Sequence, residues 1–126
     1  MLLRDYVATL EKLFGSTPFI TSTSLSYEER PPSAGLVKAT ITLADGTQID
    51  LREFLILEPN VHVLKYAYNC RKAGRLIFRY DNANDPAARS LRTFPQHKHV
   101  SAKILEAEKP SVEQVLQEVV SQLQLP

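Results

Sequence analysis

The chain has 126 residues, 44% apolar and 23% charged, with one cysteine, no tryptophan and a formal net charge of +1. A chain of that length buries roughly two-thirds of the surface its unfolded form exposes, so one domain spanning residues 1–126 is expected to hold a core without disulfides or a structural metal. Cys70 has no partner within the chain, which excludes an internal disulfide framework and fits a reducing, cytoplasmic setting. The longest aliphatic or aromatic run, Phe54 to Leu57, is far short of the ~20 residues a membrane helix needs. The N-terminus carries Asp5 early and has no apolar h-region, so neither a membrane partner nor secretion is expected.

Leu3, Tyr6, Val7, Leu10, Leu13 and Phe14 recur at helical spacing before Gly15, which predicts an amphipathic helix with Gly15 as its stop. From Pro18 to Glu29 the run is rich in β-formers and is broken by Pro31-Pro32, a first strand followed by a loop. Val37, Ala39, Ile41 and Leu43 alternate with polar residues, Asp45-Gly46 supplies a tight turn, and Ile49 and Leu51 resume the alternation, the clearest hairpin in the chain. Val61 to Cys70 reads as a further strand with Tyr66 and Tyr68 on one face. After Lys72-Ala73-Gly74, Arg75 to Asp81 follows as another. Residues 82–95 are loop-like. Ser111 and Gln114 form a capping box before the stripe Val112, Val115, Leu116, Val119 and Leu123, which predicts a closing helix. The expected fold is α+β: an antiparallel β-meander of about five to six strands with N- and C-terminal amphipathic helices on one face, leaving the other free for a ligand or partner.

The small net charge hides an asymmetry. Residues 65–103 hold nine bases against Asp81 and Asp85, a charge of +7, and the remainder carries −6. Segregation of this kind is a hint of contact with a polyanion or an acidic partner, provided the fold gathers the bases on one surface. Lys65, Arg75, Arg92 and Lys98, with the rings of Tyr66 and Tyr68, are the candidate nucleic-acid contacts.

The chemically dense stretches are Arg79-Tyr80-Asp81-Asn82 and Thr93-Phe94-Pro95-Gln96-His97-Lys98-His99. If the chain is extended from His97 to Lys103, His97 and His99 project together while Lys98 points away. Two imidazoles with unperturbed pKa near ~6.5 can divide the roles of base and acid in cutting an RNA backbone. Arg79 would neutralise phosphate charge, Asp81 would fix an imidazole tautomer, and Tyr80 would donate a proton or stack on a base. The same residues admit blander readings, a surface His pair and an Arg79–Asp81 salt bridge at a strand end. A metal reading has two His and one Asp as ligands but no longer diagnostic spacing, so no metal site is assigned. Glu53, Cys70 and His62 are weaker candidates. Only four glycines are present, none in a phosphate-binding pattern, and no cofactor is expected.

Arg79-Tyr80-Asp81-Asn82-Ala83, then Thr93 to His99, then Lys109-Pro110-Ser111-Val112, together resemble the TumE-type toxin family of prokaryotic type II toxin–antitoxin modules. Glu53, Tyr66, Tyr68 and the run Gly74 to Phe78 extend the resemblance to roughly residues 50 to 120. Asp85-Pro86-Ala87-Ala88-Arg89 departs from the commoner histidine-containing loop. The resemblance implies a small cytoplasmic toxin silenced by a cognate antitoxin, and it does not by itself name a chemical target. Combined with the residues, it gives a metal-independent endoribonuclease as the leading expectation. The alternatives are a non-catalytic nucleic-acid- or protein-binding module using a basic surface, and a metal-dependent nuclease. An antitoxin would cover the basic surface with acidic side chains, and a second copy completing an edge strand would make a homodimer.

Overall fold

The computed structural model describes residues 2–125. Helix α1 (Leu3–Ser16) is followed by seven strands, β1 (Ile20–Arg30), β2 (Ala34–Leu43), β3 (Gln48–Ile56), β4 (His62–Lys72), β5 (Arg75–Asp81), β6 (His97–Val100) and β7 (Lys103–Glu106), and then by helix α2 (Val112–Ser121). The strands form one antiparallel sheet in the order β1-β2-β3-β4-β5-β6-β7. The α+β meander with two terminal helices is therefore as expected, with one or two strands more. The additional strand arises because the extended run expected from His97 to Lys103 is broken: Ser101 adopts a positive φ of 54°, and β7 turns back on β6 with Val100 opposite Lys103.

The first helix also ends differently from the reading. Gly15 lies inside α1, and the chain leaves the helix at Thr17, whose ψ is 128°. The cause is Pro18, because a residue preceding proline is driven out of the helical region by the pyrrolidine ring. Asp5 accepts the Leu2 N–H at the other end, where an acid also complements the helix dipole. In α2 the expected capping box is present, with Ser111 Oγ accepting from Gln114 N–H and the Gln114 side chain accepting from Ser111 N–H.

Strict alternation in β2 and β3 decides which face is covered. Val37, Ala39, Ile41 and Leu43 lie on the same side as Ile49, Leu51 and Leu55, and all are buried. Leu3, Val7, Leu10 and Phe14 of α1 and Val112, Val115, Leu116 and Val119 of α2 complete that single core. Burying a Leu, Val or Phe side chain is worth about 1.5–3 kcal/mol each, so both helices are held by their apolar stripes. At Gly35, where α1 meets β2, a Cβ would lie 2.7 Å from Leu3 Cδ2, so the Leu3 side chain would have to shift to admit one. Among the described residues no helix covers the opposite face, which presents the polar members of the alternation.

Candidate functional site

Strand register brings together what sequence separates. On the open face Asp81 of β5 stands opposite His97 of β6, and Arg79 opposite His99. The intervening segment holds this alignment from outside the sheet. Asp85 caps a single 3-10 turn, Pro86–Ala88, by accepting the Ala87 N–H, and Ala88 is buried. Thr93 donates its hydroxyl to the Gln96 carbonyl and accepts the Ala107 N–H, fixing the approach to β6.

Asp81 is the hub. Its Oδ2 accepts from Arg79 Nε at 2.7 Å, and its Oδ1 accepts the Ala83 N–H at 2.9 Å and lies 3.0 Å from His97 Nε2. His99 Nε2 is 3.4 Å from Asp81 Oδ2 and 3.1 Å from His97 Nε2. His97 Nδ1 lies 2.7 Å from the Pro95 carbonyl oxygen. A carbonyl can only accept, so Nδ1 carries the proton and Nε2 is the atom turned to Asp81 and His99. One ligand atom from each of Asp81, His97 and His99 fits within a 4.8 Å cluster, a donor set suited to a divalent ion. The Pro95 contact is the outer-shell bond that orients a ligating imidazole.

The two imidazoles are not equivalent. The His97 side chain is 0% exposed and Asp81 3%, while His99 is 25% exposed and Arg79 40%. His99 and Arg79 are therefore the members of the cluster reachable from the open face, and His97 and Asp81 are buried. His99 Nδ1 makes no hydrogen bond among the described residues, so it is the imidazole nitrogen available to a ligand.

The remaining sequence candidates fall elsewhere. Tyr80 and Lys98 pair with each other on the covered face. The Tyr80 hydroxyl donates to Glu118 Oε1 at 2.7 Å, and Lys98 Nζ donates to Glu118 Oε2 at 2.7 Å. Both anchor α2 and neither faces the cluster. Burial opposes the Lys98 charge, but bonds to Glu118 and Tyr80 outweigh it and hold the ammonium above its ordinary pKa. Burial, reinforced by Glu118, raises Tyr80. Tyr68 is fully buried and donates to Glu53 Oε2 at 2.6 Å, leaving no ring surface on which a base could stack. Tyr66 is buried beside it and donates to the Gln96 side chain. Glu53 is itself a buried core carboxylate on the helix side, accepting from Tyr6 at 2.5 Å as well, which ties α1 to the sheet. Lys109 lies over the Tyr66 and Tyr68 rings, at 5.3 and 5.6 Å from their centroids. Cys70 is buried and its thiol is pushed up to about 12 by that burial, so it is no nucleophile at neutral pH. His62 is exposed at the start of β4, bonded to the Asn60 carbonyl. Arg75 lies at the β4–β5 turn.

The basic segment is partly neutralised by acids from outside it. Lys72 pairs with Asp45 at 3.1 Å, Arg92 with Glu106 and Glu108, and Lys98 with Glu118. The open face instead collects Lys65, Arg71 and Arg79 from the segment with Lys38 of β2 and Arg52 of β3. The sequence reading does not single out Lys38 and Arg52, because they lie outside the basic run. Their signal is a period-2 one: both occupy polar positions of alternating strands and stand opposite each other in the register.

A family model described as Toxin TumE matches residues 10–124. No curated protein and no solved structure matches the chain.

Proposed function

The chain belongs to the toxin TumE family, and on that premise we propose that it acts on RNA as a small endoribonuclease at the Arg79–Asp81–His97–His99 cluster. Membership makes it a toxin of a toxin–antitoxin system with a cognate antitoxin as partner. The observation that carries the RNA-cleaving reading is the convergence of two imidazoles, a carboxylate and a guanidinium on the uncovered face.

In this reading Arg79 binds the phosphate and stabilises the charge that develops on it. His99 Nδ1 takes the proton of the 2′-hydroxyl as its oxygen attacks phosphorus, the bond to the 5′-oxygen breaks, and solvent water protonates that oxygen, leaving a 2′,3′-cyclic phosphate and a 5′-hydroxyl. Asp81 orients His99, and His97 reaches the reaction only through its 3.1 Å contact with His99. The acid–base pair expected from the His-x-His spacing thus becomes one facing group and one supporting group. Tyr80 and Lys98, held by Glu118 on the other side of the sheet, have no part in it.

A divalent-metal reading is favoured by one observation. Asp81, His97 and His99 each offer one ligand atom within 4.8 Å of the others, the two Nε2 atoms being 3.1 Å apart, and two imidazoles with one carboxylate are a donor set that a divalent ion takes. Such an ion would activate water or the 2′-hydroxyl in place of His99. The experiment is incubation of the purified protein with end-labelled single-stranded RNA, with and without chelator. Cleavage that survives chelation and is lost in His99→Ala supports the acid–base reading. Cleavage abolished by chelator and restored by one divalent ion supports the metal reading. Absence of cleavage in all conditions overturns both and leaves a binding module.

A further inference from the structure

Register places Lys38, Arg52, Ala67, Asp81 and His97 in one row running straight across β2, β3, β4, β5 and β6. Lys38 and Arg52 are directly opposed like charges, an arrangement that costs stability in an antiparallel pair. Both are exposed, and neither forms an ion pair among the described residues. The fold offers no intramolecular reason for the pair, whereas Arg71 on the same face has Asp50 at 3.7 Å.

Two grooves on this face, of about 340 and 490 Å³, share Arg52 as a wall. The first holds Lys38 and Arg71. The second holds Lys65, Arg79 and Asp81, so the path from the like-charged pair to the cluster is continuous. Ala67, between Arg52 and Asp81 in the row, leaves that path low. With strands spaced about 4.8 Å, Arg52 stands about 10 Å and Lys38 about 14 Å from the Asp81 position. That interval spans about three to four nucleotides of a stacked strand at 3.4 Å each, and fewer of an extended one.

We propose that Lys38 and Arg52 form a phosphate-binding subsite that seats the RNA backbone a few nucleotides away from the bond at the Arg79–Asp81–His97–His99 cluster. The inference rests on the RNA reading of that cluster. An RNA strand fits the observations better than an antitoxin, because the pair is aligned with the cluster along one groove, as a continuous backbone requires. Lys38 and Arg52 supply sequence-independent anchoring, and Arg79 alone meets the reacting phosphate.

The test uses the His99→Ala protein, so that bound RNA stays intact, and measures affinity for a single-stranded oligonucleotide at several salt concentrations. Adding Lys38→Gln and Arg52→Gln is expected to weaken binding roughly tenfold and to make the slope of log K against log salt shallower by about 1.4, since each neutralised single-strand phosphate contributes ~0.7. The charge-preserving pair Lys38→Arg with Arg52→Lys should retain the slope. The melting temperature of the Gln pair should equal or exceed its parent's, because a repulsion has been removed. Unchanged RNA affinity and slope would overturn the proposal. So would weakened binding of the cognate antitoxin with RNA binding intact, which would assign the pair to that interface. The readout is binding, so a failure of the cleavage reading and a failure of this subsite give different results.

Discussion

Replacing His97 and His99 separately by alanine should give opposite phenotypes. His97 is fully enclosed, with Nδ1 donating to Pro95 at 2.7 Å and Nε2 3.0 Å from Asp81. Its truncation loses the hydrogen bond to Pro95 and the one its Nε2 accepts from His99, worth about 1 kcal/mol each, and the cavity left behind adds about 1–2 kcal/mol. A total near 3–4 kcal/mol, at roughly 4 °C per kcal/mol for a domain of this size, lowers the melting temperature by about 12–16 °C. His99 is at the surface of the cluster and makes only the 3.1 and 3.4 Å contacts, so its truncation should cost about 1 kcal/mol. Loss of a facing acid–base group should nevertheless slow cleavage by about 10²–10⁴. Urea unfolding followed by circular dichroism gives the stabilities, and single-turnover cleavage of labelled RNA gives the rates. Equal stability losses in the two variants, or wild-type cleavage by His99→Ala, would refute the division of roles. A double variant cannot separate these effects, because its loss of activity would follow from unfolding as readily as from chemistry.

Tyr80→Phe and Lys98→Met should each lower stability by about 1 kcal/mol by loosening α2 from Glu118, with RNA cleavage within twofold of wild type. A tenfold loss of cleavage at full occupancy of the native state would put them back in the site. Stability should also fall in alkali. Burial, then the Glu53 carboxylate, raises the Tyr6 and Tyr68 hydroxyls above their ordinary value of 10.0 in the folded protein, so the native state keeps protons that the unfolded chain releases above that pH. Their contribution is whole below pH 10 and is lost as pH rises beyond it. Urea midpoints measured from pH 8.5 to 11 should show the decline, and Tyr68→Phe should flatten it; a midpoint independent of pH across that range would disprove the buried network.

Local patterning made much of the architecture legible. The 3.6-residue stripes of α1 and α2, the alternation of Val37 to Leu43 and the Ser111–Gln114 box are written in neighbouring residues, and the structure contains each of them. The end of α1 and the break after β6 were harder. Pro18 overrode the Gly15 signal through its effect on Thr17, and the turn at Ser101 depends on β7 having β6 to pair with.

For the site, the sequence by itself determined the chemical groups: a His-x-His pair, an Arg-x-Asp pair and a basic run, with the strand period of two already sorting Arg79 and Asp81 from Phe78 and Tyr80. Tertiary structure decided which of them meet. Strand register alone sets Asp81 against His97 and Lys38 against Arg52, because pairing depends on how many residues each turn consumes along the whole meander. Burial separated the two imidazoles, leaving the His97 side chain 0% exposed against Asp81 of β5 and the His99 side chain 25% exposed. Charge segregation along the chain did not survive as charge segregation in space: Asp45, Glu106, Glu108 and Glu118 reach Lys72, Arg92 and Lys98. The basic face that remains is built from five alternate-strand positions, two of them outside the basic run, because a sheet surface samples every second residue of many strands and no single stretch of sequence.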